Sequence, residues 1–328
     1  MSTSGLRAAL VGLGDVAWGY PAAARPGRAT THLESYRALG IACVAGCDAS
    51  AAAARRFSAA TGIRAYPDPR AMLQAEPVDL VSICSPDELH FEHARIALEA
   101  GVRRIWLEKP PTATATATRE LVALAQRHGA TVAVNFFRRY HPCFERVKAM
   151  VTGEALGRAH RIELRYSRGL LANGIHQLDL LHFITADSLS FDVDAATPGG
   201  DERHADAFLH SDSLRVELSG ALLPYHVQET DVLCERGRIR ATQGGGALWI
   251  DRAAPNPDYP GFSRLELAPA PEFDEGNPGD RFPEVLADLI ASHDRKQAPR
   301  SHLGTALRSM QLYENIMQQA HGDTRRRG

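Results

Sequence analysis

Short apolar runs alternate with amphipathic stretches along the first 140 residues of this 328-residue chain. The apolar runs predict strands at 6–11, 41–47, 78–84, 102–107 and 131–134. The amphipathic stretches predict helices at 31–39, 51–60, 68–74, 87–100 and 119–128. Strands that alternate with helices are typical of a doubly wound parallel sheet. We therefore predict an N-terminal α/β domain over residues 1–130.

The pattern changes after residue 140, where strand-like runs follow one another without regular helices between them. These runs lie at 159–166, 213–219, 225–234, 237–241 and 247–251, and further helices are predicted at 143–152, 174–184, 282–293 and 303–319. Residues 252–280 are rich in Pro and Gly and predict a long loop. We expect a second, α+β domain over residues 131–328 with a mostly antiparallel, open sheet. Its terminal helix can pack back on the first domain.

The amino-acid composition argues against several classes of function. The chain is 44% hydrophobic and 23% charged with a formal net charge of −2, and it carries no basic block that would predict a nucleic-acid partner. Five scattered cysteines argue against a disulfide framework and for a reducing cytoplasm. Cys43 and Cys47 lack the second Cys or His pair of a zinc site, so we expect no metal. No apolar run approaches the roughly 20 residues of a membrane helix, and the N-terminus lacks signal-peptide features.

A glycine motif follows the first predicted strand directly, in the order Gly12-Leu13-Gly14-Asp15-Val16-Ala17. Gly12 would allow a tight turn, Gly14 would let the backbone approach a pyrophosphate, and Ala17 would keep the next helix close to the sheet. The helix N-terminus would offer free N–H groups to the phosphates. Glycines also serve ordinary turns, but the preceding strand favours a dinucleotide-binding, or Rossmann, domain.

Asp48 ends the second predicted strand, where an acid accepts the ribose hydroxyls of NAD and repels the 2′-phosphate of NADP. We therefore expect NAD(H) to be favoured over NADP(H), although Arg55 and Arg56 on the next helix leave NADP(H) open. Asp48 comes later than the usual distance of about 20 residues after the glycine motif. We attribute the delay to an insertion at 18–30, which either shapes a substrate pocket or forms a surface loop.

The stretch Glu108-Lys109-Pro110 ends the predicted strand at 102–107. The proline stops the strand because it has no backbone donor. A charged pair at the carboxyl end of a parallel strand lies where open α/β sheets bind their ligands. The alternative is a solvated ion pair at an ordinary strand end.

Five motifs in order resemble the Gfo/Idh/MocA family of NAD(P)-dependent sugar and cyclitol oxidoreductases. They are the glycine motif, Ser85-Pro86, Glu108-Lys109-Pro110, Asn135-Phe-Phe-Arg-Arg-Tyr-His-Pro142 and Gly174-Ile-His-Gln-Leu-Asp179. The resemblance implies a Rossmann domain that binds the cofactor and a second domain whose open sheet commonly mediates homodimers or homotetramers. It also implies hydride transfer between nicotinamide and a hydroxyl or carbonyl carbon of a sugar, cyclitol or nucleotide-sugar-like substrate.

The resemblance also implies roles for single residues. Lys109 and His176 would be catalytic, with Lys109 near the nicotinamide and the reacting oxygen and His176 as an acid/base. Glu108 would anchor Lys109 or the cofactor, and Ser85 and Pro86 would line the cofactor. The residues expected to contact substrate, together with Lys109 and His176, are Arg139, Asn173 and Asp179. A packing role for a lone helical histidine is the alternative for His176.

The chain departs from the family at Ala172, where members often have an aspartate four residues before the histidine. Without that carboxylate, acid/base catalysis at His176 should be weaker or should shift to Lys109. Two other function classes stay open, the first because the family's fold supports such chemistry and the second because of Ala172. One is a lyase or hydrolase that retains and recycles NAD; the other is a non-catalytic NAD-binding sensor or pathway partner.

Overall fold

The computed structural model describes residues 5–19, 29–199, 201–274 and 281–322. Most of the predicted insertion at 18–30 therefore lies outside the described residues. The chain divides into two compact units, the first made of Met1–Phe137 and Gly279–Leu307 and the second of Arg138–Pro278 and Arg308–Gly328. The division after Phe137 differs from the boundary expected after residue 130.

Among the described residues, six parallel strands form the sheet of the first unit. They are β1 (Arg7–Val11), β2 (Ala42–Cys47), β3 (Arg64–Tyr66), β4 (Leu80–Ile83), β5 (Arg104–Leu107) and β6 (Thr131–Val134). Their order, β3-β2-β1-β4-β5-β6, is that of a dinucleotide-binding domain, and it confirms the predicted doubly wound sheet. In such sheets the ligand crevice lies where the strand order reverses, between β1 and β4.

The α-helices in the described part of residues 5–137 pack beside these strands. They are α1 (His32–Ala38), α2 (Ala51–Thr61), α3 (Pro69–Ala75), α4 (His90–Glu99) and α5 (Ala115–Arg127). Thr and Ala alternate at 112–118, directly before the helix predicted at 119–128, and residues 115–118 of this segment form the first turn of α5. Thr114 caps it, because its side chain accepts a hydrogen bond from the N–H of Ala117 at 3.1 Å.

The second unit has its own sheet, in which nine strands of the described residues take part. They are β7 (Ala159–Ser167), β8 (Asp192–Gly199), β9 (Asp201–His210), β10 (Arg215–Ala221), β11 (Gln228–Cys234), β12 (Gly237–Thr242), β13 (Ala247–Pro255), β14 (Ser263–Glu266) and β15 (Phe273–Asp274). The order is β14-β13-β12-β11-β7-β10-β9-β8, with β15 paired to β13. β7 and β10 run parallel and the other pairs antiparallel, which confirms the mostly antiparallel sheet.

Further helices are α6 (Pro142–Thr152), α7 (Ile175–Ile184), α8 (Phe282–Arg295) and α9 (Leu303–Gly322). Every residue of α7 is buried. The side-chain amide of Gln177 fastens α7 to the sheet of the second unit, since it donates to the carbonyls of Arg165 on β7 and Glu229 on β11, both at 2.8 Å. None of the helices in the described ranges combines the length and the apolar character that crossing a bilayer requires.

The sequence failed to predict several strands. β3, β8 and β9 were not expected, and the prediction of one long loop at 252–280 is wrong. β13 extends to Pro255, and β14 and β15 lie within the same segment. All four residues of β14 are exposed, so no buried side chains revealed it in the pattern.

Candidate functional site

The glycine loop passes very close to the backbone of the loop after β4 in the first unit. Gly12 has a φ of +84°, and a Cβ at this position would lie 2.5 Å from the backbone nitrogen of Ser85. Its N–H donates to the carbonyl of Cys47 at 2.9 Å. Only glycine can adopt this conformation so close to another backbone, so the loop is held against the carboxyl ends of β2 and β4.

Gly14 faces open space, because a Cβ added there would have no protein atom within 4 Å. The next residues, Asp15–Gly19, form one short π-helical turn in which Val16 is half-buried. Ala17 is fully buried, as the motif predicted for the residue that packs on the sheet. The absent side chain at Gly14 thus leaves room for a phosphate group to approach the backbone, so this loop fits the pyrophosphate of a dinucleotide.

Asp48 is bonded to the glycine loop. Its carboxylate accepts hydrogen bonds from the N–H of Leu13 and the N–H of Ser50, one on each oxygen and both at 2.8 Å. A carboxylate has about four acceptor positions, so Asp48 retains acceptors that could receive ribose hydroxyls. Its position at the end of β2 agrees with the role expected of it.

Two histidines at the start of α4 bind the Ser85-Pro86 loop. The Nδ1 of His93 lies 2.9 Å from the Oγ of Ser85. His90 is fully enclosed between two backbone carbonyls, with Nε2 at 2.8 Å from that of Ser85 and Nδ1 at 2.7 Å from that of Pro110. His90 therefore connects the loop after β4 to the loop after β5.

Glu108 is not a solvated residue at a strand end, because only 7% of its surface is exposed. One carboxylate oxygen contacts the Nε2 of His32 at 2.9 Å and accepts from the Nδ2 of Asn135 at 2.5 Å. The other accepts from the backbone N–H of Lys109 at 3.2 Å. The alternative of a solvated ion pair is therefore wrong for Glu108.

The same contacts keep Glu108 ionised. Burial alone would raise the pKa of Glu108, but the hydrogen bond from His32, the charge of Lys109 and the amide of Asn135 outweigh it, so the pKa lies below its ordinary value. Burial lowers the pKa of His32, which leaves the ring neutral with its hydrogen on Nε2. Lys109 is partly exposed beside this carboxylate, and the Lys109–Pro110 peptide bond is cis.

In the second unit, Arg139 and Asp179 are joined to each other in the interior, each only 1% exposed. The Nε of Arg139 lies 2.8 Å from Asp179, and its Nη1 lies 3.0 Å from Asp187. Burial raises the pKa of the Asp179 carboxyl to about 6, and Arg139 opposes that rise. This arrangement favours a structural role for the pair over the substrate contact expected from the sequence.

His176 and Asn173 lie at the start of α7. His176 is buried in the first turn of the helix, and Asn173 is half-buried in the short turn that precedes it. The carbonyl of Asn173 accepts from the side chain of Gln228 at 2.8 Å. Ala172 is exposed, which places the family's missing carboxylate position on the surface of this turn.

Sequence reasoning missed His32, His90 and the contact of Asn135 with Glu108. His32 follows a capping residue, Thr31, and is the first residue of α1. An isolated histidine in a helical pattern does not reveal its partners, because these come from distant strands. In the described residues, no group of three or more His, Cys, Asp or Glu side chains is arranged to hold a metal ion.

The strand order, the glycine loop and Asp48 define the first unit as a dinucleotide-binding domain. Residues 6–136 match the model of an oxidoreductase family with an NAD-binding Rossmann fold, Gfo/Idh/MocA. The match confirms, over this part of the chain, the resemblance inferred from the motifs.

Similar proteins extend this result. D-glucoside 3-dehydrogenase of Escherichia coli (strain K12) is 31% identical over 205 residues, which are 56% of this chain and 55% of the relative. The chain thus matches about half the length of that relative. An inositol dehydrogenase homologue of Azotobacter vinelandii, solved with NADH and myo-inositol, has a TM-score of 0.76 at 19% identity and covers 96% of this chain and 95% of its own.

A 3-ketoreductase of Actinomadura kijaniata, solved with NADP and TDP-benzene, has a TM-score of 0.74 at 19% identity and covers 96% of this chain and 97% of its own. The two solved structures show that the fold is shared over nearly the whole chain. They contain different cofactors, NADH in one and NADP in the other, so likeness of fold does not decide between them.

Proposed function

We propose that the protein is an NAD(H)-dependent oxidoreductase that transfers a hydride between nicotinamide and a hydroxyl or carbonyl carbon of a sugar, cyclitol or nucleotide-sugar-like substrate. The observation that carries this proposal is one sheet edge of the first unit. There the glycine loop follows β1, Asp48 follows β2, and the Glu108–Lys109 pair follows β5. The substrates in the names of the similar proteins support the sugar-like class.

The cofactor would be held by residues of this edge. The backbone from Gly12 to Ala17 would bind the pyrophosphate, Asp48 the adenosine ribose, and Ser85-Pro86 would line the nicotinamide half. Bound NAD supplies the hydride acceptor or donor, which no side chain can provide. We favour NAD(H) over NADP(H) because the Asp48 carboxylate would repel a 2′-phosphate.

Lys109 would exchange a proton with the reacting oxygen or stabilise its charge. Its backbone N–H is bonded to the buried, ionised carboxylate of Glu108, which fixes its position. The ammonium can stabilise a developing alkoxide, and the neutral amine can accept the proton of a hydroxyl. The chain has 37 lysines and arginines, of which only Lys109, Lys148 and Lys296 are lysines. An arginine at position 109 would keep its proton throughout, so the lysine suits a role in which the proton moves.

We propose His176 as a second acid/base group, with Asn173 as a hydrogen-bonding residue near it. Ala172 removes the carboxylate that would hold a charged imidazole in place, so more of the proton chemistry should rest on Lys109. The pairing of Arg139 with Asp179 would support α7 and thereby His176.

The test is turnover with NAD and NADP on D-glucosides, inositols and nucleotide sugars, followed by absorbance of reduced nicotinamide. We expect higher kcat/KM with NAD. Lys109→Ala should lower kcat by about 100- to 10,000-fold while NADH still binds. Lys109→Arg keeps the charge without the transferable proton, so it should recover activity only if charge alone matters.

Each alternative has its own outcome. A fully active Lys109→Ala variant would contradict the catalytic role of Lys109. Turnover without net NADH, in a protein purified with NAD bound, would indicate a lyase or hydrolase that recycles its cofactor. Tight NAD binding with no turnover on any substrate would indicate a non-catalytic partner.

We also propose that copies of this chain assemble through the sheet of the second unit and work in the reducing cytoplasm, which the five free cysteines suit. One face of β7 is buried through Ile162, Leu164 and Tyr166, whereas Arg161 on the opposite face is exposed. This second face is the surface proposed for assembly.

A further inference from the structure

Strand β14, at one edge of the sheet in the second unit, has neither of its faces covered. All four of its residues are exposed, and among the described residues it pairs with β13 alone. Leu265 is 42% exposed, and Leu267, directly after the strand, is 70% exposed. Lysine and proline, which protect many sheet edges, are absent from residues 263–267. An edge of this kind is a template on which a further strand can pair.

Hydrogen bonds of the β13–β14 hairpin show which backbone groups of β14 point outward. The N–H of Asn256 donates to the carbonyl of Phe262 at 2.9 Å, so these two residues are a hydrogen-bonded pair next to the turn. Hydrogen-bonded pairs alternate with other pairs along an antiparallel ladder, and the register places Ser263 and Leu265 in the other kind. Ala253, opposite Leu265, agrees with this assignment, because its N–H donates at 3.0 Å to a carbonyl on the other side of β13. The N–H and C=O groups of Ser263 and Leu265 therefore point away from β13.

Charge selects one register in which this edge can pair with a second copy of itself. Residues with outward groups must lie opposite one another, so Leu265 can face Ser263, Leu265 or Leu267 of the second copy. The first register places Arg264 opposite Arg264, and the third places Glu266 opposite Glu266. Like charges directly opposite each other destabilise a strand pair. In the middle register each Arg264 lies opposite Glu266 of the other copy, so two favourable pairs replace the repulsion.

We propose that β14 pairs antiparallel with β14 of a second copy of this chain, about a two-fold axis at Leu265. The contact is isologous, because the same residues meet on both copies. Backbone N–H and C=O groups supply the affinity, as when a strand is added to the edge of another sheet. The contact is distinct from the sheet face proposed above for assembly, and it is independent of cofactor binding and turnover.

The length of β14 limits the strength of this contact. Four residues on each copy bury much less than the roughly 1,000 Å² of a stable interface. The edge therefore does not hold two copies together by itself. It joins pairs that have formed through the sheet face into a tetramer, where two edge contacts form at once and reinforce each other. In its strength, though not in its register, the edge contact rests on the assembly proposed above.

Cysteine substitution locates the two-fold axis. The two Leu265 Cα atoms would lie about 5.5 Å apart, within the range that a disulfide spans. Leu265→Cys should therefore form a disulfide between copies under mild oxidation, seen as a band of doubled mass on a denaturing gel. The five cysteines of the unaltered chain are each buried or half-buried, and that chain gives the background.

Ser263→Cys is the matched control for this cross-link. Ser263 is exposed on the same strand, and in the proposed register it lies opposite Leu267 of the second copy. The two Ser263 positions are then about 13 Å apart along the strands, too far for a disulfide. Ser263→Cys should therefore stay at the background level.

Exchange of the charges tests the register. Arg264→Glu sets acids opposite acids, and Glu266→Arg sets bases opposite bases. Each change should raise the dissociation constant of the tetramer by about tenfold and weaken the cross-link at Leu265→Cys. The double variant Arg264→Glu with Glu266→Arg sets opposite charges against each other again, so it should restore both the mass and the cross-link.

The outcomes separate the edge contact from the face contact. A cross-link at Leu265→Cys but not at Ser263→Cys, lost in the single charge variants and restored in the double one, supports the proposal whatever the mass of the unaltered protein. An assembled protein without that cross-link, or with an equal one at Ser263→Cys, overturns the edge contact and leaves the face contact standing. A monomer without the cross-link contradicts both.

Discussion

His182 shows how strongly the interior of the second unit changes a single side chain. It is buried on α7, with its ring centroid 5.7 Å from that of Phe191. Burial first and the charge of Arg139 second lower the pKa of His182 to about 4. The native protein therefore keeps this ring neutral at a pH where an unfolded chain would protonate it.

The consequence is that the free energy of unfolding decreases as the pH falls. Above about pH 6.5 the ring is neutral in both states and contributes no pH dependence. Between about 6.5 and about 4 only the unfolded chain binds the proton, so the free energy of unfolding falls by about 3 kcal/mol in total. We expect urea unfolding to show that the free energy of unfolding of His182→Leu falls over this pH range by about 3 kcal/mol less than that of the unaltered protein. Equal losses in both proteins would contradict the assignment.

Single residues were predictable where a motif fixes the backbone. The Gly12 turn, the buried Ala17 and the position of Asp48 follow from their spacing after a strand. The partners of long side chains were not predictable in this way. The sequence placed Asp179 near substrate or His176, but its nearest cation, Arg139, comes from 40 positions earlier and occupies both carboxylate oxygens.

At the scale of elements, α1 shows how a short helix supports the candidate site. Its N-terminus is a capping box, in which Thr31 accepts from the N–H of Glu34 and the Glu34 carboxylate accepts from the N–H of Thr31. This fixes His32, whose Nδ1 lies 2.9 Å from the Oγ of Ser82 on β4. Tyr36 bonds to the same oxygen, so the helix is connected through polar contacts to β4 and Glu108.

Removing the His32 side chain should therefore destabilise the folded protein. His32→Leu would leave the buried Glu108 carboxylate with one donor fewer, and we expect the free energy of unfolding to fall by about 2–4 kcal/mol. Ser35→Ala is the matched control, because the Ser35 hydroxyl bonds only within the helix turn to Thr31, at 2.8 Å. It should cost about 1 kcal/mol or less. Equal costs would show that Glu108 does not depend on His32.

The strands that were predicted best are those that bury a continuous apolar run. Strands β1, β4 and β5 are almost wholly buried, and the apolar runs located them within two residues of their bounds. β8 has only exposed and half-buried positions, and its sequence contains Asp192 and Pro198. Such strands are held by backbone hydrogen bonds to a neighbour, which leave no mark in a hydrophobic pattern.

For the whole molecule, the open face of the second unit's sheet carries charges of both signs. Arg165 contacts Glu163 at 2.8 Å and Glu229 at 3.7 Å on this face. Phe208 on β9 is 49% exposed. A surface with paired charges and an exposed aromatic ring is chemically suited to a copy of itself.

Light scattering after size-exclusion chromatography tests this assembly. We expect the mass of a dimer or a tetramer. Combining Arg165→Glu with Phe208→Glu should shift the protein to monomers, because it places like charges and removes an aromatic anchor at the contact. The control Arg56→Glu changes an exposed charge on α2 and should keep the assembled mass. A monomeric unaltered protein would contradict the proposal.

The bond between Asp48 and Leu13 has a consequence for how cofactor preference can evolve. The carboxylate that would discriminate against a 2′-phosphate also holds the glycine loop, through the Leu13 N–H at 2.8 Å. A substitution that admits the phosphate by removing this acid also releases the loop on which the pyrophosphate depends. A lineage that changes its cofactor must therefore supply another acceptor for Leu13, so the switch requires at least two coordinated substitutions rather than one.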